Sequence, residues 1–311
     1  MEIPRIPPER VPKQTQHLGR TPEKRLDKKI NREYIIPAFP PSARAVKKPQ
    51  EGLSEEEEKS ERERLMELLH ATGLTKDFGA LRVLDHIDLR VEEGSLHSVV
   101  GPNGAGKTTL FNLISGFIKP TEGRINFRGE DITYFPPYQM AHLGIRRSFQ
   151  VITLFQELTT LENVRLAIQA KGRERFSFFK KALSLREFVD DAYEILRTLG
   201  LEEKAGHKAS ELSHGEQRLL DIGVAMAGEC KLMLLDEPTS GLVYDEIPVM
   251  GETIKRLTPK RTVVLIEHRV DMVLSISDTI TVLDFGKVIA QGPPGVIQSS
   301  EEVSRAYLGV H

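Results

Sequence analysis

Gly101-Pro102-Asn103-Gly104-Ala105-Gly106-Lys107-Thr108, followed by Thr109, is the stretch from which the fold of this chain can be read. It fits the spacing G-x-x-x-x-G-K-[ST]. Directly before it stands LHSVV, Leu96–Val100, an apolar run that predicts a buried strand. After it, from Lys107 to about Gly116, the pattern is helical. A strand, a glycine turn and a helix are the setting in which this spacing has a mechanism. Glycines let backbone N–H groups curl around an anion. The start of the helix aims the positive end of its dipole at the same place. The expected ligand is a nucleotide, with Lys107 reaching the β- and γ-phosphates and the Thr108 hydroxyl on Mg2+.

Further along, LMLLD (Leu232–Asp236) and TVVLI (Thr262–Ile266) predict two more strands. Their near-continuous apolar character suits a sheet covered on both faces. The first runs into Asp236-Glu237-Pro238. Neighbouring side chains on a strand face opposite ways, so the two acids are free to take different tasks. Asp236 suits the Mg2+ shell and Glu237 suits polarising an attacking water. Residues 161–204 are charge-rich and helix-patterned, with no strand signal. They suggest a helical subdomain inserted between strand-bearing halves.

The chain has 311 residues, which as a prior suggests about two domains of about 150 residues. It carries 43 Lys and Arg against 45 Asp and Glu. Such a balance gives no basic face for a nucleic-acid partner. The single cysteine, Cys230, excludes an internal disulfide framework and a cysteine-rich zinc site. No stretch approaches the apolar length of a membrane helix, and prolines and charges stand where a signal peptide would be apolar. Residues 1–64 differ from the rest. Nine of the 18 prolines lie before residue 61, and residues 1–50 hold twelve Lys and Arg against five Asp and Glu. This composition predicts a disordered extension, because it buries too little apolar surface to offset the entropy of ordering. Contact with anionic lipid headgroups, or docking on a partner subunit, are the other roles open to it.

Leu212-Ser213-His214-Gly215-Glu216-Gln217 precedes the helical run RLLDIGVAMA. Ser213 and Glu216 have capping-box spacing, so Ser213 is expected to cap this helix and leave an anion-binding N-terminus. The segment resembles the LSGGQ signature of ATP-binding-cassette ATPases, with His214 in place of the first glycine and Glu216 before Gln217. The order of motifs matches that family too: phosphate loop, a glutamine (Gln150), signature, acidic strand, and a histidine (His268). The resemblance covers residues 65–311. It implies an α/β fold: a P-loop NTPase (RecA-like) core, an antiparallel β subdomain and an inserted α-helical subdomain, about 151–213. Several segments look like the ATPase subunits of branched-chain amino acid and urea importers: LISGFIKPTEGRINFRGEDIT (113–133), LGIRRSFQ (143–150), LFQELTTLENV (154–164), IEHRVDMVLSISDTITVLDFGKVIAQG (266–292) and RAYLG (305–309).

The resemblance also implies roles. Phe78 is the aromatic that stacks on adenine. Gln150 touches Mg2+ and the attacking water. His268 contacts the γ-phosphate. Two protomers pair head to tail, each ATP lying between Lys107 of one chain and Ser213, Gly215 and Glu216 of the other. The pair is a homodimer, or a heterodimer with a second ATPase subunit. It sits peripherally on the cytoplasmic face of the cell membrane, on two transmembrane permease subunits, in a system that includes a soluble solute-binding protein. The function implied is ATP hydrolysis that energises uptake of branched-chain amino acids or a similar small solute. Lipid or lipopolysaccharide exporter motors share part of the vocabulary, and a nucleotide-gated regulatory ATPase is the non-transport alternative. DNA-handling relatives need a long coiled coil, which is absent here. One position departs from the family pattern: Val243 in Ser240-Gly241-Leu242-Val243 stands where an Asp or Asn is usual. Tyr244 and Asp245 are candidates to compensate.

Overall fold

The computed structural model describes residues 67–148, 154–171 and 181–308. The expected extension, residues 1–64, and Gln150 lie outside the described residues. So do 151–153 and 172–180 of the helical segment, and Gly309 of the C-terminal resemblance.

Two sheets organise the chain. The first has four strands in the order β2-β1-β4-β5, namely β1 (Glu67–Phe78), β2 (Leu81–Glu92), β4 (Glu122–Phe127) and β5 (Glu130–Asp131), all antiparallel. On β2 the residues Ile87, Leu89 and Val91 are buried while those between them are exposed. That alternation is what a sheet with one wet face requires. Neither long strand was expected from local sequence; the antiparallel subdomain was implied by resemblance alone.

The second sheet has the order β10-β9-β3-β8-β7-β6. Its strands are β3 (Leu96–Val100), β6 (Ile145–Ser148), β7 (Leu232–Asp236), β8 (Thr262–Ile266), β9 (Thr279–Asp284) and β10 (Lys287–Gly292). Only the β9–β10 pair is antiparallel. Every residue of β3, β7 and β8 is buried, as their apolar runs predict. The register aligns their carboxyl ends. Val99 lies opposite Ile266, Ile266 opposite Asp236, and Leu235 opposite Ser148. The chemistry-bearing loops therefore leave the sheet along one edge.

The helix Lys107–Ile114 follows the phosphate loop and buries Leu110, Phe111, Leu113 and Ile114. It is shorter than the expected run to Gly116. Between β6 and the helix His214–Met226 lie the helices Thr160–Lys171 and Lys181–Leu199 and two short 3-10 turns. Val164, Ile195, Leu196, Leu199, Leu220 and Ile222 join these helices to the core beneath β7 and β8. Gly223 permits the approach, since a Cβ there would come within 2.8 Å of Leu199 Cδ1. Among the described residues no helix is long and apolar enough to cross a membrane.

His97 sits in β3 beside the phosphate loop, fully buried, its Nε2 2.7 Å from Thr281 Oγ1 of β9. Burial pushes its imidazole down to about 4 from an ordinary 6.5. The folded chain keeps this ring neutral over a range where the unfolded chain protonates it. Folding stability should therefore fall as pH drops from about 6.5 to about 4, by about 3 kcal/mol, and level off below. Urea unfolding across this range checks it: His97→Gln, which keeps a partner for Thr281, should flatten that part of the profile.

Candidate active site

The phosphate loop is shaped by positions that admit no side chain. Gly101 has φ 154°, and a Cβ there would lie 2.1 Å from the carbonyl oxygen of Leu283 at the end of β9. Gly106 caps the following helix in the left-handed conformation, φ 101°, and a Cβ would meet Leu84 Cδ2 at 2.5 Å. The loop is also stapled from outside, where the Gly286 N–H donates to the Ala105 carbonyl at 3.1 Å. Asn103, Gly104 and Thr108 are exposed, and Thr109 is half-buried. Lys107 is buried, and its Nζ donates to the carbonyls of Gly101 at 2.7 Å and Pro102 at 2.9 Å. Burial pulls the Lys107 ammonium below the usual lysine value, while the charges of Glu237 and Asp236 pull the other way. Lys107 and the two acids thus share one electrostatic neighbourhood.

Asp236 ends β7, buried. Its Oδ2 accepts from Arg147 Nη2 at 2.8 Å. Among the described residues its Oδ1 is buried without a hydrogen-bond partner. Arg147, in β6, also donates to Asn112 Oδ1 at 2.6 Å and Ser115 Oγ at 3.3 Å, so it ties the Asp236 strand to the helix of the phosphate loop. Glu237 is half-buried and lies beyond the strand, with φ 48°. Strand alternation was expected to set the two acids apart, but the strand ends at Asp236, and Glu237 has left-handed backbone, which costs a non-glycine residue energy and persists only where neighbours hold it. One restraint is the Glu237 N–H, which donates to the Ile266 carbonyl at 2.9 Å. His268 lies two residues beyond the end of β8 and its side chain is half exposed.

Ser213 caps the helix His214–Met226 as expected. Its Oγ accepts from the Glu216 N–H at 3.2 Å, and Glu216 Oε2 accepts from the Ser213 N–H at 2.9 Å. Burial alone would raise the Glu216 carboxyl; Lys204, at 2.5 Å, and the Ser213 bonds hold it lower than usual. Glu246 was missed by sequence reading. Ser213 Oγ donates to its Oε1 at 3.4 Å, the Val243 N–H to its Oε2 at 3.3 Å, and a Cβ on Gly215 would come within 2.9 Å of its carboxyl. Val243 and Tyr244 are exposed, and Asp245 makes no side-chain cap. It is Glu246, not Tyr244 or Asp245, that reaches the Val243 backbone. Among the described residues no hydrogen bond joins the 212–217 segment to the phosphate loop 101–108.

Phe78 ends β1 with half its surface exposed, 50%, and Lys76 Nζ lies 5.1 Å from the ring centroid. It is not a core residue.

The model for ABC transporters matches residues 84–240. This chain belongs to the ABC transporter family. The cassette is 39% identical to the high-affinity branched-chain amino acid transport ATP-binding protein LivG of Escherichia coli, over 78% of this chain and 98% of that one. Its identity to BraF of Pseudomonas aeruginosa, of the same description, is also 39%, with the same coverage. A solved nucleotide-free ATP-binding cassette from an ABC transporter matches with TM-score 0.67 and 34% identity, over 78% of this chain and 99% of that one. The dimeric post-hydrolysis state of another cassette, bound to ADP and Pi, matches with TM-score 0.61 and 28% identity, over 73% and 98%. Like its family, the cassette binds nucleotide and is an ATPase.

Arg147 and Glu267 also went unassigned in the sequence, although both lie in segments that resemble the importer cassettes. For Arg147 the signal was a charge one residue from the end of a strand beside an acid. The pair is buried, with 11% and 2% of the side chains exposed. Removing Arg147 takes away the ion-pair partner of Asp236 and leaves the charge of Lys107 to offset it only in part. Arg147→Met should therefore destabilise the cassette by about 3 kcal/mol, read as a lowered urea midpoint at unchanged slope.

Proposed function

We propose that this cassette energises uptake of branched-chain amino acids, or a similar small solute, through partner membrane subunits. The near full-length match to LivG and BraF carries the reading. In it, two cassettes pair head to tail, as a homodimer or with a second ATPase subunit, on the cytoplasmic side of two permease subunits. A soluble solute-binding protein delivers the solute. The contact surface for the permeases would include residues 150–161 and the helical insert.

The roles proposed at the site follow the chemistry of each group. Lys107 exchanges its two carbonyl acceptors for phosphate oxygens. The backbone N–H groups of the loop cradle the same phosphates. Phe78 offers a ring face to adenine. Thr108 and Asp236 would hold Mg2+, together with Gln150. The fit rests on Asp236, whose buried Oδ1 has no partner among the described residues while Arg147 occupies Oδ2. When bound, Mg2+ neutralises charge on the β- and γ-phosphates. Glu237 accepts a proton from the attacking water, whose oxygen bonds to the γ-phosphorus as the bond to the leaving ADP oxygen breaks. His268 contacts the γ-phosphate. Ser213 and Gly215 complete the site of the partner protomer, with Glu216 bracing the signature helix.

Two measurements test this. Reconstituted in vesicles with its co-purified membrane subunits and binding protein, the cassette should show ATPase stimulated by leucine, isoleucine or valine. Stimulation by a lipid and not by these solutes would overturn the importer reading. In ATP and Mg2+, Glu237→Gln should bind nucleotide, lose at least about a hundredfold in turnover and accumulate as a dimer by light scattering. A monomer that hydrolyses at the parent rate would remove Glu237 from this role.

A further inference from the structure

Glu267 lies between β8 and His268 and is fully buried. A carboxyl group in such a place needs all its acceptor capacity used. Its two oxygens are used on different loops. Oε1 accepts from the Thr239 N–H at 2.9 Å and the Thr239 hydroxyl at 2.5 Å. Oε2 accepts from the His268 N–H at 3.1 Å, with His268 Nδ1 at 3.8 Å. Thr239 is itself fully buried and stands two residues after Glu237. The Glu237 N–H bond to the Ile266 carbonyl, at 2.9 Å, runs beside this contact. Glu237-Pro238-Thr239 is thus bracketed at both ends against Ile266-Glu267-His268.

We infer that Glu267 is a positioning residue for ATP hydrolysis, holding the Glu237 loop and His268 in one register through its two oxygens. The inference rests on the roles given above to Glu237 and His268. The bracket supplies what the left-handed backbone of Glu237 requires, neighbours that over-determine a strained conformation. Side-chain chemistry makes the two contacts separable. A glutamine in place of Glu267 has one acceptor oxygen. Turned to Thr239, it faces its NH2 donor to the His268 N–H, and one clasp opens whichever way it flips. No phosphate-binding atom is removed, so turnover should suffer and ATP binding should not.

The test is steady-state ATPase of the full chain over a range of ATP concentrations. Glu267→Gln should lower kcat at least about tenfold with KM for ATP within about threefold. Thr239→Val, which keeps the N–H and loses the hydroxyl, should lower kcat in the same direction, and Thr239→Ser should recover most of that loss. In a His268→Ala background, Glu267→Gln should cost less than about twofold further, because the two act as a unit. Equal fold-losses in both backgrounds would overturn the His268 half of the proposal, and a KM rising in step with the fall in kcat would overturn all of it. Should Glu267→Gln fail to fold, Thr239→Val against Thr239→Ser decides: equal rates overturn the clasp. His268→Ala at the parent rate would instead overturn the role of His268, and with it the His268 half of the proposal. A crippled His268→Ala beside a fully active Glu267→Gln overturns the present inference alone.

Discussion

Three adjacent strands, β3, β8 and β7, are buried at every residue, and the rest of the molecule is arranged by that fact. A strand covered on both faces has no side-chain surface left for chemistry. What remains is its end. The register places the ends of these strands in one row, so the phosphate loop, the Asp236–Glu237 turn and the Glu267–His268 turn emerge side by side from residues up to 167 apart in sequence, from Gly101 to His268. The parallel direction matters as much as the burial. Antiparallel strands would have sent alternate loops to opposite edges.

Charge at that edge is handled by pairing rather than by water. Arg147 takes one oxygen of Asp236 and leaves the other, and Glu267 gives one oxygen to each neighbouring loop. Both add side-chain links where the sheet's backbone hydrogen bonds run out, one from β6 to the end of β7 and the helix of the phosphate loop, the other between the turns that follow β7 and β8. On the signature side Glu246 does the same, touching Ser213 and the Val243 backbone with separate oxygens. Low dielectric strengthens each of these contacts and equally penalises its loss.

How much of this could be read from the chain varied with the range of the interaction. LHSVV, LMLLD and TVVLI are legible as strands with the bounds observed, because a short, mainly apolar run rich in branched side chains has few other uses. The capping box of Ser213 and Glu216 is legible because both partners lie within one turn. The paired strands β1 and β2 are not, since their pattern is broken by charges and by irregular register, and pairing is a contact between segments. Glu267 carries the same local mark as Asp236, an acid directly after four apolar residues. Its meaning stayed hidden because Thr239 lies 28 positions away. Glu237 was misjudged in geometry for a different reason. Alternation holds only inside a strand, and this one stops a residue earlier.

The two hydrogen bonds that Lys107 makes within its own loop set a threshold for what the loop accepts. The lysine ammonium already holds the Gly101 and Pro102 carbonyls. An anion therefore gains from this lysine only the difference between its own attraction and that of two neutral acceptors. A singly charged, well-hydrated ion gains little from the exchange, whereas a polyphosphate that engages several loop N–H groups at once gains much. The same two bonds hold the loop in shape, so that binding swaps acceptors instead of ordering a chain, and the entropy of shaping the cradle falls on folding rather than on each turnover.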